Sequence, residues 1–341
     1  MKRAEVETQI NWIYVLIGSG VFLFVIFKFI SVQRSASELN QAIAVRDSLE
    51  SAVLSAYSSS QEESYLQINL GKLSATFSCE DGGIQVHEKI QPVDIGSAFA
   101  PKKLSSDSGS IFMKSISWQI PMNAGSIILL TSPADSYLLV RNPQNDYMIP
   151  LLKRILPEGT DISEVGEVES ITSAIQRRKG KSVRIVYFNE EPPDSVKKMI
   201  NTQVSVVKIS SEKNSFGTVT YYTPTGHNTL AYFSDEMMAG AVLSENADEY
   251  SCSANKALNR LVGIINLSAQ RAVMLSNFVE SNVCKVSLQE AKNELLAYAD
   301  FLSSPQILKP DSSTFSQLES HIQKISSRES MMERNSCPTI Y

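Results

Sequence analysis

The sequence predicts an α+β (mixed α/β) protein with an N-terminal transmembrane helix and stalk, a β-rich and α/β exterior domain, and a C-terminal helical region. Three observations support this fold class. An uncharged run extends from Thr8 to Phe27, apolar residues alternate along short segments between residues 65 and 246, and apolar residues recur every three or four positions in the last third. The length of 341 residues leaves room for two domains, or for one large domain with an anchor.

The uncharged run predicts a membrane span. Its 20 residues, from Thr8 to Phe27, extend about 30 Å as a helix, which is the thickness of a bilayer core. Trp12 and Tyr14 stand at its start, where amphipathic rings favour the interface. We therefore assign residues 1–9 to a short tail, 10–30 to a transmembrane helix and 31–64 to a helical stalk, with the lipid bilayer as a partner.

Two alternatives compete with a retained anchor. A buried core helix of a soluble protein rarely runs this long without a charge. A cleaved secretory signal has a shorter apolar stretch that ends in small residues, whereas Lys28-Phe29-Ile30 follows this one. The sequence therefore favours an anchor that stays on the protein.

Four cysteines follow the span, at Cys79, Cys252, Cys284 and Cys337. Basic residues flank both ends of the span in similar number, so their distribution hardly orients it. An even number of cysteines on one side favours disulfides and an oxidising compartment, which places the bulk of the chain outside the cytoplasm. The alternative is a cytosolic domain with free thiols. Three pairings are possible, and a Cys252–Cys284 bond would need a break in the helix between them.

Residues 65–246 predict a β-rich layer followed by alternating strands and helices. Pro and Gly residues mark the breaks between segments, and a strand, helix, strand order indicates a partly parallel sheet. The predicted strands are 66–70, 73–79, 115–120, 126–131, 136–140, 182–188, 204–209, 218–222 and 229–233, the last two forming a hairpin. The predicted helices are 147–156, 168–178, 194–202 and one that Asp235 caps.

Residues 247–334 predict a helical region, and residues 335–341 predict a free tail. Helical spacing is strongest over 254–280 and 286–302, and a third helix places Phe315, Leu318, Ile322 and Ile325 on a narrow seam. Seams of this kind pack against a neighbour. We therefore expect a protein partner, or self-association, through the stalk and the C-terminal helices.

The composition argues against a nucleic-acid partner. The chain has 31 Lys and Arg residues against 36 Asp and Glu residues, a net charge of -5. Nucleic-acid affinity depends on basic surfaces that contact phosphates, and this balance offers none. Hydrophobic residues make up 43% of the chain, so we expect a folded core.

Motifs that carry chemistry are scarce. The sequence lacks Cys-x-x-Cys, His-Glu-x-x-His and Gly-x-Ser-x-Gly, and its three histidines stand apart, so we predict neither a metal nor a cofactor and assign no catalytic residue. The most site-like feature is Glu190, Glu191 and Asp194, which follow a predicted strand at the sheet edge where α/β proteins commonly bind ligands. The simpler interpretation is a solvated loop with Asp194 as a helix cap.

The N-terminus resembles the class III, type IV pilin-like signal segments of archaeal surface proteins. The resemblance rests on Lys2-Arg3-Ala4-Glu5, on the four residues that follow, and on the apolar start at Ile10 to Tyr14. In those signals a basic and a small residue precede a cleavage point, and the apolar helix stays on the mature protein. Here charged Glu5 and Glu7 separate Ala4 from the apolar run.

The order of segments is also similar to a group of uncharacterised archaeal membrane-anchored proteins. The segments that carry this similarity are the opening segment and residues 77–80, 99–103, 117–121, 130–133 and 249–252. None of them is a catalytic signature, so the resemblance implies an architecture and no activity.

These observations predict a single-pass membrane-anchored envelope protein with an extracytoplasmic domain. We expect it to be non-enzymatic, as a binding or assembly module. The first alternative is a pilin-like surface filament subunit. The second is a surface enzyme that uses the carboxylates of Glu190, Glu191 and Asp194.

Overall fold

The computed structural model describes residues 2–58, 63–71, 73–81, 83–104, 109–141, 147–166, 168–213 and 215–340. The predicted fold class is confirmed, since an N-terminal apolar helix, sheets and C-terminal helices follow one another. The helices are α1 (Lys2–Ser58), α2 (Met148–Ile155), α3 (Val168–Arg177), α4 (Asp194–Lys197), α5 (Asp235–Leu243), α6 (Ala247–Phe278), α7 (Asn282–Leu302) and α8 (Ser312–Arg334).

The strands of the described residues form three sheets. They are β1 (Ser64–Asn69), β2 (Ala75–Ser78), β3 (Gly83–Gln85), β4 (Ala98–Phe99), β5 (Lys103–Leu104), β6 (Ser110–Gln119), β7 (Asn123–Thr131), β8 (Asp135–Val140), β9 (Asp161–Val165), β10 (Ser182–Phe188), β11 (Val204–Lys213), β12 (Phe216–Thr223) and β13 (Gly226–Tyr232). The sheet orders are β1-β6-β7-β4, β3-β2-β5 and β13-β12-β11-β10-β8-β9.

Helix α1 joins the apolar segment to the folded domain without a break. Side chains from Leu16 to Val32 in its apolar part are exposed, as Phe22 is at 66%. The side chains of Trp12 and Tyr14, predicted at the membrane interface, lie outside the part that the structure describes. Of the helices in the described part of the chain, α1 alone is long and apolar enough to cross a membrane. Further along α1, Leu49 and Val53 are buried in a core shared with the first two sheets. The Tyr57 hydroxyl then donates a 2.6 Å hydrogen bond to the Ile95 carbonyl.

The six-stranded sheet contains the predicted parallel pairing. Strand β10 lies between β8 and β11 and is parallel to both, so the amino ends of these three strands meet at one edge. The predicted hairpin is confirmed as β12 and β13, which pair antiparallel. Strand β9 was not predicted and pairs parallel with the outer side of β8.

One face of the six-stranded sheet packs on the C-terminal helices and the other on α3 and α4. Residues such as Leu139, Val186 and Val207 belong to the first core. Their sequence neighbours Leu138 and Ile185 belong to the second. Because side chains alternate along a strand, both faces of these strands are buried, which explains their nearly continuous apolar sequence.

Two predicted helix starts differ in the structure. Ser234, not Asp235, caps α5, since its Oγ accepts a hydrogen bond from the Met237 N–H. Pro193 holds the cap position of α4, with no side-chain cap bond, so Asp194 is the first helical residue. Helix α4 is also shorter than the predicted 194–202, because the Asn201 side chain accepts bonds from the N–H groups of Gln203 and Val204. This turn directs the chain into β11.

Candidate functional site

A cavity of about 600 Å³ opens at the amino ends of the parallel strands. The starts of β8, β10 and β11 form its floor. The segment between α5 and α6 and the residues that lead into β5 form its walls. Its charged lining residues are Lys102, Lys103, Asp135, Arg184, Glu245 and Asp248.

Asp135 is a buried carboxylate on this floor, with 5% of its surface exposed. It is the first residue of β8 and follows a tight turn in which its N–H donates to the Ser132 carbonyl. The Ser132 hydroxyl donates a 2.7 Å hydrogen bond back to Asp135 Oδ2. Burial raises the pKa of Asp135 to about 7, although the bonds from Ser132 and the charge of Arg184 act in the opposite direction.

Arg184 is the buried cation of the cavity and is also a helix cap. Its Nη1 donates to the carbonyls of Val242, at 2.9 Å, and Ser244, and its Nη2 donates to the Glu245 carbonyl at 2.8 Å. Its Nε donates to Ser205 Oγ at 3.0 Å. A positive group at the carboxyl end of α5 satisfies carbonyls that lack helical partners and complements the helix dipole.

Asp135 and Arg184 lie on one face of the sheet but do not pair with each other. In the parallel register, Asp135 stands opposite Ser182 and Arg184 stands opposite Tyr137, so the two charges occupy diagonal positions on neighbouring strands. The hydrogen bonds described for Asp135 come from Ser132, and those of Arg184 go to Ser205 and to three backbone carbonyls. The fold therefore holds a buried carboxyl group and a buried guanidinium apart at the edge of a cavity.

Tyrosines complete the floor. Tyr137 and Tyr221 are buried, and the Tyr221 hydroxyl donates a 2.7 Å bond to the Ala241 carbonyl at the end of α5. Burial raises the pKa of both phenols far above neutral pH. They therefore remain neutral and give the cavity apolar ring surface.

The predicted carboxylate site lies at the opposite end of β10, and its acids already have partners. Glu191 contacts Lys197 and Lys208, each at 2.9 Å, and accepts a 2.8 Å bond from the Tyr222 hydroxyl. Partial burial opposes ionisation, but these bonds outweigh it and lower the pKa of Glu191 to about 2. Asp194 is 89% exposed and lies 3.9 Å from Lys197.

Glu190, the third predicted carboxylate, is exposed. Burial of Tyr187, together with the negative charge of Glu190, raises the pKa of Tyr187 to about 12. Across the described part of the chain, no group of three or more His, Cys, Asp or Glu residues is arranged to hold a metal ion. The loop that carries Glu190, Glu191 and Asp194 thus has the character of a surface ion cluster.

Neutralising Glu191 should therefore have only a small effect on stability. Because the carboxylate is 56% exposed, we expect Glu191→Gln to lower the free energy of unfolding by at most about 1 kcal/mol. Urea titration at pH 7 measures it, with Glu190→Gln as the matched neighbour. A loss of several kcal/mol would instead show that this cluster holds the sheet edge together.

The structure selects one of the three possible cysteine pairings. Cys79 pairs with Cys252, and Cys284 pairs with Cys337, with Cα–Cα distances of 6.0 and 5.4 Å. The first bond joins the second sheet to α6. The second ties down the C-terminal segment, which the sequence had predicted as a free tail.

Two side chains of α6 reinforce the first disulfide. Glu249 accepts a 3.1 Å hydrogen bond from the Cys79 N–H, and Lys256 donates a 2.8 Å bond to the Cys79 carbonyl. One turn further along α6, Arg260 stacks on the ring of Tyr57, 4.8 Å from its centroid. A chain of contacts therefore connects the end of α1 to α6 and to the second sheet.

Sequence reasoning missed Asp135 and Arg184 because neither belongs to a motif. One signal was available: Arg184 interrupts the apolar run of residues 182–188, and a charge inside a buried strand requires a partner or a function. Asp135 lines the same cavity as Arg184 because β8 pairs with β10, and the sequence did not determine this strand order.

Comparison with protein-family models, curated proteins and solved structures finds no match to this chain.

Proposed function

We propose that this protein is a single-pass membrane-anchored binding module whose folded domain lies outside the cytoplasm. The observation that carries the proposal is the course of α1, whose exposed apolar part continues directly into a segment packed in the core of a disulfide-bonded domain. A cleaved signal segment is normally separated from the folded domain by its cleavage site, whereas here one unbroken helix contains both the apolar segment and buried core residues. This continuity supports a retained anchor.

The disulfides support the proposed location. Cys79, Cys284 and Cys337 are buried, and disulfides of folded domains persist in oxidising compartments. The resemblance of the N-terminus to class III signals agrees with a surface protein. A pilin-like filament subunit remains the alternative, and processing after Ala4 distinguishes it.

The cavity supports a role in ligand binding. Arg184 is held by four hydrogen bonds, three of them to backbone carbonyls, so its position is fixed before any ligand arrives. Fixed polar groups in a concave site are typical of ligand recognition.

Assembly through the stalk and the C-terminal helices also remains part of the proposal. Apolar side chains near the α6–α7 turn are exposed, and Phe278 is 86% exposed. Val283 and Val286, in the first turns of α7, are exposed as well, and apolar side chains that cluster in this way are typical of a contact surface.

The anchor is tested by placing charges in the apolar part of α1. Leu23→Arg with Val25→Arg should release the full-length protein from membranes during alkaline extraction, because each arginine costs about 3 kcal/mol near the centre of a bilayer. Ile43→Arg with Leu54→Arg is the matched control, since these exposed residues lie on the same helix beyond the apolar run. We expect this control to stay in the membrane fraction.

Location is tested by thiol labelling of intact cells with an impermeant maleimide, with and without a reductant. We expect labelling only after reduction. Labelling that requires cell lysis would place the domain in the cytoplasm and contradict the proposal. Mass spectrometry of the N-terminal peptide separates the remaining cases: a start at residue 5 favours the pilin-like subunit, and loss of the whole apolar run indicates a cleaved signal.

A further inference from the structure

We propose that the cavity at the amino ends of β8, β10 and β11 binds a small zwitterion of the amino-acid or dipeptide class. The ligand's ammonium group would contact Asp135, and its carboxylate would face Arg184 and the lysines at the mouth. This proposal deepens the binding role proposed above and rests on it. Four properties of the cavity carry the inference.

The first property is the spare hydrogen-bonding capacity of the two buried charges. A carboxylate accepts up to four hydrogen bonds, and the bonds that Asp135 receives come from the hydroxyl and backbone of Ser132. A guanidinium has five N–H donors, and the bonds of Arg184 within the described chain use four of them. Asp135 can therefore accept up to two further hydrogen bonds, and Arg184 can donate one more.

The second property is the separation of these charges. Asp135 and Arg184 share one sheet face yet form no ion pair with each other. A ligand that carries a donor beside an acceptor can contact both. An α-amino acid presents its ammonium and carboxylate groups in this way.

The third property is charge balance. Lys102, Lys103 and Arg184 supply three positive charges, Glu245 and Asp248 supply two negative ones, and Asp135 supplies a third when a ligand ammonium group displaces its proton. A polyanion or a polycation would meet repulsion from half of this lining. A ligand with separated charges and no net charge meets attraction at both ends.

The fourth property is size and surface. A cavity of about 600 Å³ lies within the usual range for small-molecule sites, and the rings of Tyr137 and Tyr221 provide apolar contact for a side chain. The two lysines are exposed at the rim, so they attract the carboxylate without blocking entry.

The test is calorimetric titration of the detergent-purified full chain with L-alanyl-L-alanine. We expect saturable binding. The N-acetylated dipeptide lacks the ammonium group and should bind at least about tenfold more weakly, because a hydrogen-bonded charge contact is lost. The dipeptide amide lacks the carboxylate and should also bind more weakly than the free dipeptide. Glucose has hydroxyls but no charges, so it should not bind.

Variants assign the contacts. Asp135→Asn should weaken the dipeptide by about tenfold or more, whereas Asp194→Asn removes an exposed carboxylate elsewhere and should bind like the wild type. Lys102→Gln with Lys103→Gln changes only exposed residues, so this double variant tests the carboxylate end of the site independently of Asp135.

Three results would overturn the proposal: no binding of the free dipeptide, equal binding of its N-acetylated form, or dipeptide binding unaffected by the lysine variant. Preference for glucose would reassign the cavity to neutral polyols. Because the titration uses purified protein, its failure leaves the membrane anchor intact, and failure of the extraction test leaves the titration interpretable.

Discussion

Replacing Cys79 and Cys252 with serine should lower the free energy of unfolding by about 5 kcal/mol. These cysteines are 173 residues apart, and a disulfide stabilises chiefly by restricting the unfolded chain over the loop that it closes. The folded state keeps its local geometry, because Glu249 and Lys256 still contact the backbone of residue 79. Urea unfolding of the detergent-purified chain measures the change, with the fluorescence of buried Trp118 reporting on the core.

The second disulfide serves as the matched control. Cys284 and Cys337 are 53 residues apart, so the same relation predicts a loss of about 4 kcal/mol for their replacement by serine. Both variants should unfold at lower urea than the wild type, the first variant at the lowest concentration. An unchanged midpoint in the first variant would mean that Cys79 and Cys252 are not bonded in the isolated protein, and the extracytoplasmic location would lose its main support.

Local periodicity predicted most of the elements of this fold. The bounds of β10 were predicted to the residue, and those of β11 and α7 to within four residues, because their apolar patterns are regular. The predicted α6 ends within two residues of its observed end but begins seven residues late. The four-residue helix α4 was overestimated, since the Asn201 turn that ends the segment acts through one side chain. Short strands such as β4, with two residues, have no period to detect.

Pairing between distant segments was not predictable from local pattern. Strands β1 and β2 are consecutive in sequence, yet β1 pairs with β6 and β2 pairs with β3 and β5. The cysteine pairing has the same origin, because Cys79 meets Cys252 only after the second sheet docks on α6. Such contacts depend on the packing of whole layers.

The candidate site shows this limit most clearly. The sequence predicted a site at Glu190, Glu191 and Asp194 because these carboxylates lie close together in the chain. In the structure, Glu191 is paired with two lysines and a tyrosine. Asp135 and Arg184 are 49 residues apart and become neighbours only because β8 and β10 pair in parallel. Sequence adjacency therefore identified a surface cluster, and strand order formed the cavity.

The stability of the protein should fall as pH rises from about 4 to about 7, and Asp135→Asn should remove most of that fall. The folded-state pKa of Asp135 is raised from 3.8 to about 7 because the carboxyl is buried. Between these values the unfolded chain has released the proton and the folded protein keeps it, so stability decreases with pH. Three pKa units correspond to about 4 kcal/mol.

Urea midpoints of the full chain measured from pH 4 to pH 8 test this expectation. At pH 8 we expect Asp135→Asn to be more stable than the wild type, since the variant has no charge to desolvate and asparagine still accepts a bond from Ser132. At pH 4 the two should be similar. Glu191→Gln is the control. The pKa of Glu191 is lowered from 4.5 to about 2, so its stabilising effect is constant above about pH 4.5 and is lost only as pH falls below that value.

The charges around Asp135 predict how this profile responds to further changes. Glu245 raises the pKa of Asp135 and Arg184 lowers it, so Glu245→Gln should move the upper end of the fall to lower pH. A wild-type profile that stays flat between pH 4 and pH 7 would mean that Asp135 is already ionised when folded. The cavity would then hold a permanent carboxylate, and its ammonium ligand would bind without displacing a proton. A falling profile instead requires that binding at pH 6 release a proton to the buffer, which calorimetry in buffers of different ionisation enthalpy detects directly.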